Sequence, residues 1–490
     1  MKRTLRPALL AFIAAAAWPA RAQVESALLS KVQLNVVNPG GKSLAMGGAF
    51  VSLADDPPAA FANPAGLAQL GSWEFGISGK GFRFEPRLDT ANFFQDSAAS
   101  PATLDSVDTY EPSKTTTDLE FASLVVPVVK DVTVAFYRAV NLRYQLDASD
   151  LAGGNYRVFF VNRRGLESIS LDEQGGLDLR NTVWGASVGA RFGPVSLGGG
   201  ITLNKLKYEL TGGAAGGPHL FISNAGNLGL TGITNPYFET EIAADVTSGT
   251  KVGWVFGARA VLDEAHAVAV GGVYRRSPKF DVSYSIHATT ETGATLADFS
   301  CGVDDPNLPG SGASACGTFR VPDDWSLGIS GRLVPRLLIA FDVQRIRYSQ
   351  LNEGYVPVFA YRYGPGNASR AIGSGSSEDG TLPRVGAEYT LLAKAGAELA
   401  LRAGWYREPA HGTKVPLFAD DDRNRIPDSG QAVDAPPISE AYATTFDGGR
   451  RENHYSFGLG ASFARRYSVD LAFDISRTTK SAVLSAFARF

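Results

Sequence analysis

The chain has 490 residues, 44% hydrophobic and 19% charged, with a formal net charge of −3, five His and two Cys. A mean hydropathy of −0.04, with no apolar run of about eighteen residues past the first thirty positions, argues against membrane-spanning helices. The charge leaves no footprint for nucleic acid. What remains is a soluble β-rich protein or a transmembrane β-barrel, whose alternating strands average to mild hydropathy.

Lys2, Arg3 and Arg6 precede an apolar stretch, residues 8–18, too short to anchor the chain. Ala20-Arg21-Ala22 supplies the small residues of a cleavage site, so 1–22 reads as a signal peptide with Gln23 as the mature start; a buried amphipathic helix is the alternative. No Cys follows the site, which speaks against a lipoprotein.

Residues 23–72 lack strand alternation and are rich in Gly and Ala. A short helix is expected over Ala45 to Asp56, stopped by Pro57-Pro58, with a second turn around Ala59 to Ala62. Such a segment builds a poor core alone. Its natural place is inside a wide barrel, as a plugging hatch; an untethered periplasmic extension is the other possibility.

From residue 73 onward period-2 segments dominate, as in Tyr455, Phe457, Leu459, Ala461 and Phe463 alternating with Ser456, Gly458, Gly460 and Ser462. Fourteen strands are expected, near 73–84, 119–128, 132–146, 182–192, 195–210, 251–262, 267–288, 322–333, 336–347, 382–392, 398–407, 451–464, 467–477 and 482–490. Tight turns such as 129–131 and 193–194 alternate with long polar loops for most of the chain. An even strand number, short turns at one end and long loops at the other are the pattern of an outer-membrane barrel, residues 73–490.

Within the third strand Val132, Val134, Phe136, Val140, Leu142, Tyr144 and Leu146 share the lipid-facing phase, and Arg138 falls in it too. An Arg facing lipid at mid-depth costs roughly 2–4 kcal/mol. Either the strand kinks inward so that Arg138 points into a lateral gap, or the side chain snorkels or sits at a bulge. Gly185-Ala186-Ser187-Val188-Gly189 matches GxSxG formally but lies inside a strand with no strand-to-helix elbow. Cys301 and Cys316 flank a Gly/Pro/Asp-rich stretch and, after export, are expected to close a loop as a disulfide. In the last long loop Asp420, Asp422, Asn424 and Asp428 have the spacing of Ca²⁺ ligands. Arg425 replaces the turn glycine there and Gln431 the bidentate Glu, so a solvated acidic loop is the competing reading. No catalytic constellation is visible, and no cofactor is required. The chain ends on Phe490, and a terminal Phe on a closing strand looks like the signal that the barrel-assembly machinery reads.

The segment GGKSLAMGGAFVSLADDPPAAFANPAGLA resembles the N-terminal hatch of the FadL/TodX family of outer-membrane transporters for long-chain fatty acids and aromatic hydrocarbons. Asn63-Pro64-Ala65 looks like the family's NPA motif, and Asp55-Asp56 like the acidic pair before it. Residues 273–278 (VYRRSP), 321–328 (VPDDWSLG) and 401–406 (LRAGWY) are similar to further family segments, in family order. The resemblance implies a monomeric fourteen-stranded barrel plugged by its hatch, among outer-membrane lipid and lipopolysaccharide. A hydrophobic small-molecule ligand would come in from outside, shift the hatch, and leave sideways near the third strand. Related barrels with an NPA-containing N-terminus serve secretion or surface-protein assembly, which is the alternative function. A general polar porin is disfavoured, because the hatch would occlude it.

Overall fold

The computed structural model describes residues 32, 34–94, 103–147, 158–162, 165–221, 238–245, 249–290, 295–301, 317–352, 360–362, 369–371, 376–394, 396–412 and 449–490. The expected signal peptide, Cys316 and the whole 420–428 loop lie outside them. Cys301 ends a short strand, Thr295–Cys301.

Fourteen strands form the wall. They are β1 (Glu74–Phe84), β2 (Lys114–Val129), β3 (Val132–Asp147), β4 (Gly165–Phe192) and β5 (Val195–Phe221). Then come β6 (Lys251–Asp263), β7 (Val268–Arg276), β8 (Asp324–Val334), β9 (Leu337–Ile346) and β10 (Gly380–Lys394). β11 (Ala397–Glu408), β12 (Glu452–Phe463), β13 (Tyr467–Ile475) and β14 (Thr479–Arg489) complete it. Each strand pairs antiparallel with the next, and β14 pairs with β1 from Glu74↔Arg489 to Phe84↔Thr479, which closes the barrel.

Alternation decides the two faces. In β12 Phe457 is 49% exposed while Ser456 is buried, and Phe136, Trp184, Phe256, Leu327 and Leu471 point outward on other strands. Ser78, Ser123, Thr133, Ser187, Asn204 and Ser485 point inward. An apolar outer belt around a polar inner face is the arrangement a bilayer requires of a barrel.

The wall differs from the sequence expectation in three places. β4 and β5 run much further than 182–192 and 195–210, because the Gly-rich stretch 211–217 stays paired opposite 170–176. The expected strand over 267–288 is two: β7 stops at Arg276, before Ser277-Pro278, and Lys279–Thr290 pairs instead with Phe238–Asp245 and with Gly317–Arg320. Proline has no N–H to give a ladder, so the wall strand ends there. Third, β3 changes face. A bulge between Val140 and Leu142 shifts its register against β4, and one extra residue swaps inward and outward phases. Leu142 and Tyr144, expected against lipid, are fully buried inside.

Candidate functional site

The hatch fills the lumen with little regular structure. Helix α1 is Gly41–Ala45, helix α2 is Ala59–Ala62, and a 3₁₀ turn covers Pro64–Gln69. The second turn is where the sequence places it, but no helix spans 45–56. Gly47 and Gly48 adopt φ of +64° and +77°, which ends α1. The next N–H groups, of Phe50 and Val51, are taken by the wall: both donate to Asp342 Oδ2, each at 2.8 Å.

The wall grips the hatch by its backbone. Arg191 donates to the Ala68 carbonyl at 2.9 Å and Arg259 to that of Ser52 at 2.7 Å. Arg275 reaches the carbonyls of Phe61 and Ala62 and the Asn38 amide oxygen, and it pairs with Asp324 at 2.9 Å. Arg384, fully buried, donates to the carbonyls of Val36 and Gly48. A segment of irregular backbone enclosed in protein needs such donors, and four arginines supply them.

Asn63, fully buried, is the hinge of the NPA stretch. Its Nδ2 donates to the carbonyls of Val51 (2.8 Å) and of Ala258 in β6 (3.2 Å), and its Oδ1 accepts from Ala65 N, capping the 3₁₀ turn. The inner wall is cut away around it: a methyl on Gly257 would lie 2.0 Å from Asn63 Oδ1, and one on Gly198 2.3 Å from the Pro64 carbonyl carbon. Ser187, the serine of the GxSxG match, donates to the Ala60 carbonyl at 2.9 Å and so also holds the hatch.

Asp55 and Asp56 part company. Burial works against charge at both Lys42 and Asp55, but their contact at 2.8 Å, together with Glu388 beside Lys42 and Arg402 beside Asp55, outweighs it, holding Asp55 below and Lys42 above their ordinary values. Asp56 is pushed well above its ordinary value by burial and by the neighbouring Asp55. Lys42 also faces Glu388 at 3.8 Å, and Arg402 bridges Glu388 (2.7 Å) and Asp470.

Toward the long-loop end the lumen turns apolar. Phe84, Leu142, Tyr144, Leu179, Phe280, Phe319, Val321, Ile346, Tyr348, Leu351 and Leu382 form one buried cluster with Val32, Val36 and Val37 of the hatch. Against it and the hatch lies a cavity of about 70 Å³ whose lining mixes Phe61, Tyr137 and Trp254 with Asn35, Asn38, Asn141, Asn204, Arg275 and Asp324. No group of three or more His, Cys, Asp or Glu side chains able to hold a metal occurs among the described residues.

The wall is incomplete beside this cavity. β2 and β3 pair only from Val129↔Val132 to Phe121↔Ala139. Beyond that β2 stays with β1, while β3 bends inward with β4. Arg138 stands on the outer face at the last rungs, opposite Ala122, and its guanidinium donates to the Leu119 carbonyl, the β2 acceptor just past the ladder's end. Above it the seam is crossed by side chains: Arg143 of β3 meets Asp118 of β2 at 3.0 Å, and Arg180 of β4 meets the same carboxylate at 2.8 Å. The sequence singles out Arg138 and the third strand as the place of a gap, but the bulge between Val140 and Leu142 and the charge pairs that cross the seam carry no signal in the alternation. Phe490 is exposed, its N–H donating to the Trp73 carbonyl at 2.9 Å.

A closed apolar-belted wall around a polar-gripped hatch is a plugged fourteen-stranded barrel of the bacterial outer membrane. No family model matches the sequence, and no curated relative matches it. Its fold is that of the FadL/TodX barrels. A Pseudomonas aeruginosa FadL homologue is similar with TM-score 0.53 at 14% identity, covering 94% of this chain and 98% of that one. The Ralstonia pickettii toluene transporter TbuX has TM-score 0.51 at 14% identity, with 93% and 99% covered. A TodX deltaS2S3 mutant monoaromatic hydrocarbon channel has 0.51 at 15%, with 93% and 100% covered.

Proposed function

We propose that this barrel takes up hydrophobic small molecules passively, of the class of long-chain fatty acids or aromatic hydrocarbons. The observation that carries the reading is the buried apolar cluster at the long-loop end, which shares Val36, Val321 and Ile346 with the lining of a hatch-bound cavity. A water-filled pore gives an apolar solute no reason to enter, whereas an apolar column favours it by roughly 25 cal/mol per Å² removed from water. The hatch obstructs the axial route, and the interrupted β2–β3 ladder is the outlet this reading assigns, on the membrane side. Arg138 at its lower end keeps the Leu119 carbonyl paired in apolar surroundings. The similar structures include a toluene transporter and a monoaromatic hydrocarbon channel, in line with such cargo. A scaffold for secretion or surface-protein assembly would need neither the column nor the outlet.

Uptake of labelled oleate and of labelled toluene by cells with and without the gene tests the reading. At least one probe should enter several-fold faster with the gene. Equal rates for both, with a surface protein lost in the deletion strain, would overturn it in favour of the scaffold.

A further inference from the structure

Two arginines border the cavity of about 70 Å³. They are neighbours on β7 and so take opposite faces of the strand: Arg276 is exposed, while Arg275 turns in to Asp324 at 2.9 Å. Arg275 is further committed to the hatch, at the Phe61 and Ala62 carbonyls and at Asn38 Oδ1. Gln344, also in the lining, donates to Asp324 Oδ1 at 2.8 Å and accepts from Arg384. The inward charges of the lining are thus one cation and one anion in contact. What the lining has to spare is amide N–H. Asn38 accepts from Arg275 and Asn141 accepts from Asn181 at 2.8 Å, each through its oxygen. The Nδ2 groups of Asn38 and Asn141 have no partner among the described residues.

We propose that this cavity is a head-group site for an uncharged amphiphile, a long-chain alcohol or ketone, whose oxygen accepts from Asn38 and Asn141. This rests on the uptake reading and narrows its cargo. A volume of about 70 Å³ is little more than the share of two waters at about 30 Å³ each, which suits a head of a few atoms and not a chain. Val36, Val321 and Ile346 belong both to the lining and to the apolar cluster, so a head held here sets the rest of the molecule against that cluster. A carboxylate head would bring a second anion beside Asp324 with no unspent inward cation to meet it. An unpaired buried charge is far costlier than a neutral oxygen that accepts a hydrogen bond. A bare hydrocarbon would strip water from two amide N–H groups and return nothing.

Saturable binding of labelled 1-decanol, 2-decanone and decanoate to the purified barrel tests the head, at about pH 8 where decanoate is ionised. At least one uncharged probe should bind tenfold or more tighter than decanoate. Asp324→Asn keeps the shape of the lining and leaves Arg275 without its counter-charge. It should raise decanoate affinity at least fivefold and leave the uncharged probes within twofold. Asn141→Leu should weaken the uncharged probes at least fivefold. Heat-modifiable mobility verifies that each variant is folded. A smaller margin in the wild type, or the reverse preference, overturns the head-group site and leaves the uptake reading intact, as does an unchanged decanoate affinity in folded Asp324→Asn barrel. No binding of any of the three, together with oleate and toluene uptake that is the same with and without the gene, overturns the uptake reading itself.

Discussion

Asp342 of β9 holds Val51 of the hatch through a carboxylate oxygen 2.8 Å from its N–H, and the same oxygen takes the N–H of Phe50. Hydrogen bonds to a charged acceptor contribute about 1.5–3 kcal/mol each. Asp342→Ala leaves two enclosed N–H groups without a partner, and should loosen the hatch by about 3 kcal/mol or more. Hydrogen exchange at Phe50 and Val51 should accelerate by at least a hundredfold while exchange in β9 is unchanged. Equal protection of both amides in the variant contradicts this role.

Asn63 acts in three places at once, and Asn63→Ala removes them together. Loss of the cap costs about 1 kcal/mol, and leaving the buried Val51 carbonyl without this donor adds about 1–3 kcal/mol. Asn63→Asp should be worse than Ala, because it sets a carboxylate against the carbonyls of Val51 and Ala258. Limited proteolysis within the hatch, ranked wild type slowest and Asp fastest, checks the order.

Glycines facing the NPA stretch should tolerate no side chain. Gly257→Ala and Gly198→Ala each drive a methyl into hatch backbone or into Asn63, and overpacking costs about 1–3 kcal/mol. Gly81→Ala is the control, since its nearest neighbour would be 3.8 Å away. The first two should lower the thermal midpoint of the folded barrel on heat-modifiable gels, and Gly81→Ala should leave it within error.

The acidic pair gives the hatch a pH dependence of known sign. Asp56 has its folded value raised from 3.8 by burial and Asp55. Between about 4 and that raised value the folded state keeps a proton the unfolded state has lost, so stability falls as pH climbs through this window. Asp55 is lowered, and its contribution is lost only as pH drops below its ordinary value. Hatch protection should therefore be greatest in mild acid and decline toward neutrality. Asp56→Asn should flatten that decline and raise protection at pH 7; a decline of undiminished size in Asp56→Asn would assign it to another group.

The strand count, the turns and the two faces of the wall were legible because each lipid-facing strand must alternate, and Tyr455 to Phe463 or Tyr467 to Ile475 can satisfy a bilayer in no other way. The hatch was legible as a stretch without alternation. Its conformation was not: Ala45 to Asp56 has helix-forming composition, yet Asp342 captures two of its N–H groups from nearly 300 positions away, and no local propensity carries that information. Leu142 and Tyr144 carried the phase of lipid-facing residues until one bulged residue turned them inward.

The sequence by itself determined the strands of the barrel and the orientation of their faces, since these follow from short-range periodicity against a fixed solvent, and it set residues 23–72 apart as a segment without that periodicity. Only the tertiary structure decided how the hatch is held, at which rung β2 and β3 part, and which charge pairs cross the parting. Those depend on register, and a slip of a single residue between β3 and β4 is invisible in a pattern whose period is two.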